Sequence, residues 1–357
     1  MKNRLHKIFI TVSIVMISIP LVLVLLKIKV EPKNPGEKKI SLNFKRNFPL
    51  KADLFEMYCN IKANFLKVNP VPNSVIDLNN GWKFLGNDYS NALTESKGIQ
   101  NFNKEQLETI KTNLLENKKW IEDHGIKFYL SIAPNKHSIY GDMIPIAKSN
   151  KKTKLEQIKT LCKNIDIPFI DLGAYFPKDS IRLYHRTDSH WNYLGGYYAS
   201  KAIINSLSKD YKTQNFNNHP LSDYEIERFN SPIGDLNGML FLKKNEEVIT
   251  IKPKFEYSWT KQANQLPLPS PYHFDPKDYE HRYTSDVNDL KIIIMRDSFF
   301  VALQETIANN FGETLCIWRH NFDKTLMKNE KPDIVLYEIV ERNIDVLLND
   351  DFDHASN

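Results

Sequence analysis

The stretch KIIIMRDSFFVALQETIANN, residues 291–310, decides the fold. KIIIM (291–295) is the short, apolar, β-branched run of a strand covered on both faces. It passes directly into Arg296, Asp297 and Ser298, and RDSFFVALQETIANN reads as a turn into a helix. A buried strand feeding a helix is the unit from which parallel sheets are built. The pattern recurs outward from here. Residues 103–124 set Leu107, Ile110, Leu114 and Ile121 at helical spacing, with Gly125 as a C-cap. KFYLSIAP (127–134) reads as a strand, 152–164 as a helix, PFIDL (168–172) as a strand and 192–208 as a helix. TLCIW (314–318), a short helix over 323–330 and the strand DIVLYEIV (333–340) complete the series. The alternation predicts an α/β fold with a mostly parallel sheet covered on both faces. Residues 213–288 break it. They are rich in Asn, Pro, Tyr and charge, with hairpin pieces around 247–259, and read as an insertion contributing to a substrate cleft. Sites in open α/β sheets lie beyond the carboxyl ends of strands, which points to 134–140, 172–190, 296–300 and 340–342.

The N-terminus has a different character. MKNRLHK (1–7) is basic, and residues 8–26 carry no charge. That run is long enough to cross a hydrocarbon core of ~30 Å as a helix. Its basic flank stays in the cytoplasm by the positive-inside rule. The expected organisation is a cytoplasmic tail (1–7), a single transmembrane helix (8–27), a linker (28–45) containing VEPKNPGEKKI, and one domain (46–350) outside the cytoplasm. A cleaved signal peptide is the rival reading. Its apolar region would be unusually long, and no A-x-A-like site follows.

Composition narrows the function classes. With 41% hydrophobic and 25% charged residues, the 357-residue chain is an ordinary globular protein with ample core. A net charge of +5 without a Lys/Arg run or nucleic-acid motif argues against DNA or RNA as a partner. Cys59, Cys162 and Cys316 form no CxxC pair, so a zinc ribbon or thioredoxin-like site is not expected. They read as three buried thiols, one disulfide plus a free thiol being the alternative outside the cytosol.

Two short pieces carry the chemistry, TDSHWN (187–192) and MRDSFF (295–300). Ser298, at a strand end that opens a helix, suits a nucleophile whose attack creates an oxyanion, because backbone N–H groups at a helix start favour negative charge. A serine needs a base, and His190 titrates in the right range. A carboxylate must hold the imidazole, and Asp188 stands two residues before it. Plain N-capping by Asp297-Ser298 and by DSHWN is the alternative for each piece alone. A metal site built on His185, Asp188 and His190, with His137 as fourth ligand, is a rival that leaves the serine unexplained.

These pieces resemble the AlgX/AlgJ-like proteins of the SGNH hydrolase superfamily, the alginate O-acetyltransferase type, in which a DxH segment precedes a GDSF-like serine segment. The matching pieces are TDSHWN (187–192) and RDSF (296–299). NGWKFL (80–85), APNKHSIYGDMIP (133–145), IGDLNGML (233–240) and PDIVLYEIVERNI (332–344) are similar as well. The resemblance implies a three-layer α/β/α SGNH-like fold. It implies acetyl transfer to a cell-surface polysaccharide, with a multi-pass membrane acyltransferase as donor partner and no cofactor. It makes Ser298 the nucleophile, His190 the base and Asp188 its orienter. A carbohydrate acetylesterase, or a glycan-binding assembly protein with a degenerate site, are the alternatives. Arg296 stands where the family has glycine; it would reshape the oxyanion hole, donate to the oxyanion or bind an anionic substrate. Asn135 and Lys136 are candidate oxyanion donors, Tyr140 a further cleft residue, and Trp82 and Trp191 candidate sugar-stacking rings or buried side chains.

Overall fold

The computed structural model describes residues 2–25, 51–178, 181–232, 234–242, 244–270, 272, 274–320 and 322–349. The expected linker, 28–45, lies outside them. The chain divides into two units, Met1–Val71 with Leu240–Leu242, and Pro72–Met239 with Lys243–Asn357.

In the first unit the apolar N-terminal run lies in the helix Lys2–Leu25. Most side chains of its last ten residues lie outside the described residues. Among the described residues no helix is long and apolar enough to cross a membrane. A second helix, Lys51–Asn60, widens into a π turn at Ile61–Phe65. Phe55 packs against Tyr58 and meets Phe241 edge-on at 5.5 Å.

The second unit carries the strands, in chain order β1 (Val75–Asp77), β2 (Lys83–Leu85), β3 (Lys127–Ala133), β4 (Phe169–Ile170), β5 (Tyr224–Ser231), β6 (Glu246–Pro253), β7 (Thr260–Gln262), β8 (Glu280–Thr284), β9 (Lys291–Arg296), β10 (Glu313–Trp318) and β11 (Ile334–Val340). Its seven-stranded sheet has the order β4-β3-β11-β9-β10-β8-β7. The first five of these run parallel, and β8 and β7 add an antiparallel edge. The sheet is therefore mixed, with its parallel part at the centre. β1–β2 and β5–β6 form separate antiparallel hairpins.

Alternation along the central strands builds three layers, because successive side chains face opposite sides of a sheet. Ile292 and Ile294 of β9, with Leu336 of β11, enter a core under the helix Tyr193–Asp210, which supplies Leu194, Ile203 and Leu207. Ile293, Met295, Val335 and Ile339 enter a second core. The helix Lys104–Asp123 supplies it with Ile110 and Leu114, and the helix Lys154–Asn164 with Leu155 and Ile158. Local signals set the helix ends. Asn103 and Gln106, and Thr153 and Glu156, form capping boxes. Gly125 follows the first of these helices with φ +76°.

The turn into a helix expected after β9 is present, with the helix starting only at Gln304. The segment after Ser298 is a 3-10 turn, Ser298–Ala302, followed by the short helix Gln304–Ala308. Asp297 Oδ1 accepts the Phe299 N–H at 2.9 Å, and Phe299 and Phe300 are both fully buried, which tightens the turn. The helix Tyr193–Asp210 presses on it: a Cβ at Gly196 would stand 2.6 Å from the Ala302 carbonyl oxygen. Cys162 and Cys316 of this unit are free and buried, and burial pushes both thiols up to about 12.

Candidate active site

The site forms where β3, β9 and β11 end. Asp297 ties two of those ends together, since its Oδ2 accepts the Val340 N–H at 2.7 Å. The buried Glu338 accepts the Asp297 N–H at 3.3 Å, and burial together with the Asp297 charge raises its carboxyl well above the ordinary range. Ser298 follows on this brace.

His190 arrives on a loop closed at its neck by the antiparallel bridge between Tyr184 and Trp191. The Asn192 N–H donates to the Leu183 carbonyl at 2.8 Å, and the Asn192 side chain caps the next helix by accepting from Gly195. The DxH spacing now has a local reason. Asp188 Oδ1 accepts the backbone N–H of His190 at 2.8 Å, an Asx turn. The same oxygen lies 2.6 Å from His190 Nδ1. The other ring nitrogen, Nε2, lies 2.8 Å from Ser298 Oγ. Ser298, His190 and Asp188 thus form one hydrogen-bonded chain. Burial pushes the Asp188 carboxyl up, but the His190 ring and the N–H groups of His190 and Asp235 outweigh it and hold the group well below the usual range. An ionised Asp188 keeps Nδ1 protonated and leaves Nε2 free to accept the serine proton.

Trp191 and Phe299 lock the two motifs to each other. The Trp191 indole N–H donates to the Phe299 carbonyl at 2.8 Å, and the rings meet edge-on at 5.0 Å. The His190 ring also rests on Phe299, at 4.8 Å. Trp191 is 2% exposed. It therefore holds the site together and offers no sugar-stacking face.

Two site expectations are corrected. Arg296 is fully buried. Its guanidinium donates to the Asp278 carbonyl at 2.6 Å and lies 4.7 Å over the Trp318 ring, so it faces neither an oxyanion nor a substrate. Lys136 is a strut. Its ammonium donates to the carbonyls of Lys83, at 2.8 Å, and Arg186, at 3.2 Å, over the rings of Trp82 and Phe84. Burial lowers it to about 7 against the pull of Asp188, Asp235 and Glu246. The residues of the rival metal reading have other partners. His137 Nε2 donates to the Leu85 carbonyl at 2.8 Å, in a ring buried beside Phe84, and His185 lies 3.6 Å from Glu246. Asp188, His190 and Asp235 do cluster, but both nitrogens of His190 are already engaged.

Asn135 is buried beyond β3, and its backbone N–H donates to Glu341 at 2.7 Å. Tyr140 accepts the Leu183 N–H at 3.0 Å and packs on Trp82 at 4.8 Å. Four residues were missed by sequence reasoning. Asp235, from IGDLNGML, donates its N–H to Asp188 Oδ2 at 3.0 Å and accepts from the Ser189 N–H at 2.7 Å and its hydroxyl at 2.5 Å. Gly234 makes this wrap possible. It has φ +121°, and a Cβ there would stand 2.2 Å from the Thr187 carbonyl oxygen. Glu246 on β6 accepts the N–H groups of Arg186, at 3.0 Å, and Thr187, at 2.5 Å, together with the Thr187 hydroxyl and Arg182. Glu341 accepts from Asn135 and from the Ser138 hydroxyl, and burial pushes it up to about 7. Arg342 lies 5.1 Å over the other ring that matters here, Phe299, half-buried. The resemblance marked the segments of Asp235, Glu341 and Arg342, whereas Glu246 carried no local signal.

Fold and site define a class: an α/β protein built like the serine hydrolases, with Ser, His and Asp hydrogen-bonded beyond the strand ends. The chain belongs to the family described as SGNH hydrolase-like domain, acetyltransferase AlgX, whose model matches residues 79–266, just over half of it. It is accordingly an enzyme of SGNH type, an O-acetyltransferase or serine esterase. The match includes Asp188 and His190 and stops before Ser298. Among solved structures, PatB1 of Bacillus cereus is similar at 16% identity with a TM-score of 0.57, over 78% of this chain and 99% of that one. A DHHW family protein of Eubacterium siraeum is similar at 15% identity with a TM-score of 0.52, over 77% and 92%. The O-acetyltransferase domain of Pseudomonas putida AlgJ is 18% identical with a TM-score of 0.46, over 76% and 92%. No curated protein matches the chain.

Proposed function

We propose that this chain transfers an acetyl group to a hydroxyl of a cell-envelope polysaccharide, through an acyl-enzyme on Ser298. The observation that carries the reading is His190, bridging Ser298 at 2.8 Å and Asp188 at 2.6 Å. In the first half-reaction Ser298 Oγ attacks the acetyl carbonyl while its proton passes to His190 Nε2. The bond to the donor oxygen breaks, and His190 returns the proton to that leaving group. In the second, an acceptor hydroxyl gives its proton to His190 and attacks the acyl carbon, and the Ser298 oxygen leaves and is reprotonated. Asp188 stabilises the imidazolium in both.

The uncharged run 8–26 behind the basic residues 1–7 supports a membrane anchor with the catalytic unit outside the cytoplasm. Acetyl-CoA is not available there, so the donor is a membrane-bound acyltransferase partner. The test uses a chromogenic acetyl ester with and without an acceptor oligosaccharide. Transfer to the sugar, lost in Ser298→Ala, is the expected result. Release of acetate to water alone, whatever acceptor is supplied, would make the chain an esterase. Turnover unchanged in Ser298→Ala would remove the acyl-enzyme altogether.

A further inference from the structure

The helix Lys51–Asn60 and the π turn Ile61–Phe65 distribute their side chains against the rule for a protein in water. Leu54, Met57, Tyr58, Ile61 and Phe65 recur at the three- and four-residue steps that place side chains on one helical face. All five are exposed, Phe65 at 82%. The opposite face carries Glu56, Asn60 and Ala63, half-buried, and Cys59, fully buried. The large apolar residues are thus the exposed ones, and the small and polar ones the covered ones. Leu66 and Val68 extend the exposed patch beyond the turn. A single exposed leucine would need no explanation, but a contiguous apolar patch marks a surface that something covers.

Three observations name a lipid bilayer as the cover. The first is position along the chain. Only residues 27–50 separate this helix from the uncharged run 8–26, so a helix that follows a membrane span stays within reach of that membrane. The second is composition. The face combines aliphatic side chains with Tyr58 and Phe65, the mix of a helix lying in the boundary between headgroups and acyl chains. The third is the flank. Lys62 sits beside the face with its Nζ 5.0 Å over the Tyr58 ring, and Lys67 is exposed just past the turn. Lysines in such places lay their stems along apolar surface and reach lipid phosphates with their charges.

We infer that residues 54–65 form an interfacial helix, lying in the plane of the membrane surface with Leu54, Met57, Tyr58, Ile61 and Phe65 among the lipids. The inference rests on the proposed anchor and goes beyond it. It gives the chain two membrane contacts, one across the bilayer and one along it.

The full chain is reconstituted in vesicles of phosphatidylcholine and phosphatidylglycerol, and nitroxide labels are placed singly on Leu54→Cys, Ile61→Cys, Phe65→Cys and Asp53→Cys. Asp53 is exposed and lies off the apolar face. Cys59, Cys162 and Cys316 are fully buried, and the unsubstituted chain serves as the blank. Collision rates with oxygen and with a water-soluble nickel chelate give the depth of each label. Labels at Leu54, Ile61 and Phe65 are expected about 5–10 Å below the phosphates, and the label at Asp53 in water. A photoactivatable phosphatidylcholine gives a second reading on the unsubstituted chain, with adducts expected in the peptide that holds residues 54–65. Labels on the apolar face that the nickel chelate reaches, or no lipid adduct there, would overturn the inference, since such a face awaits a protein. Shielding from both reagents, with spin–spin broadening, would also overturn it, because the face then covers a second copy. The anchor is scored separately, by washing the vesicles with alkaline carbonate. A chain stripped by carbonate sinks the anchor reading; a retained chain with its labels in water sinks the interfacial helix.

Discussion

Glu246→Ala removes a side chain that touches neither Ser298 nor His190, yet it is expected to disable the site. Glu246 is buried on β6 and accepts from the backbone N–H groups of Arg186 and Thr187, the Thr187 hydroxyl and the Arg182 guanidinium. Those donors belong to the loop that ends in Asp188 and His190. Hydrogen bonds to a charged acceptor are worth about 1.5–3 kcal/mol each, and their sum is not additive. Breaking a buried ion pair by removing one partner costs about 3–5 kcal/mol. That second figure bounds the loss, which for a domain of this size lowers the melting temperature by on the order of 10 °C. The pH dependence adds a second signature. Burial alone would raise the Glu246 carboxyl, but His185, Thr187 and the two backbone N–H groups hold it at about 2. A depressed carboxyl stabilises the folded state above its unfolded value, and that contribution is lost as pH falls from about 4.5 towards 2. The difference in melting temperature between wild type and Glu246→Ala should therefore be full at neutral pH and shrink across that window. Circular dichroism melts read it, and ester turnover falls with it as the loop loosens. A variant that melts within about 2 °C of wild type at neutral pH, or a difference that grows with acid, would refute the reasoning.

Three other outcomes follow from the same structure. Asp188→Asn leaves the fold intact but supplies an amide that cannot hold the imidazolium, so kcat for a small acetyl ester should fall on the order of 10³–10⁴-fold. Arg296→Gly, which restores the glycine of related proteins, removes the bond to the Asp278 carbonyl and the stack on Trp318. It is expected to cost about 3–5 kcal/mol in a denaturant titration without raising kcat. Burial holds Lys136 near 7 when folded, whereas the unfolded ammonium keeps its proton to about 10.5, so the stability it contributes rises with pH between those values. Wild type minus Lys136→Met, followed by urea midpoints across that range, should show the rise; a flat difference would contradict it.

The parts of this molecule that were legible beforehand are those whose cause is local. The buried run KIIIM needs no partner to read as a strand, and it becomes β9, between β11 and β10. TDSHWN is legible because Asp188 caps its own turn and Asn192 caps the following helix. Arg296 was not legible. A charged side chain beside a serine suggests an exposed role, whereas the carbonyl of Asp278 and the ring of Trp318 make a buried place for it from distant segments. Lys136 is a similar case, because its acceptors, the carbonyls of Lys83 and Arg186, are backbone atoms far along the chain. Glu246 and Asp235 lie in the stretch with the weakest periodicity. Their function appears once that stretch folds back onto residues 186–189.

The central claim is that Ser298 becomes acylated with His190 as its base. It is tested most directly by trapping. An activated serine oxygen displaces fluoride from a sulfonyl fluoride, which makes that compound a suitable reagent. The full chain is treated with a sulfonyl fluoride and, separately, with an acetyl ester under rapid acid quench, and the modified residue is located by peptide mass spectrometry. One adduct is expected, on Ser298, absent in Ser298→Ala and formed far more slowly in His190→Ala. An adduct on any other residue, or labelling of Ser298 at the wild-type rate without His190, would contradict the account.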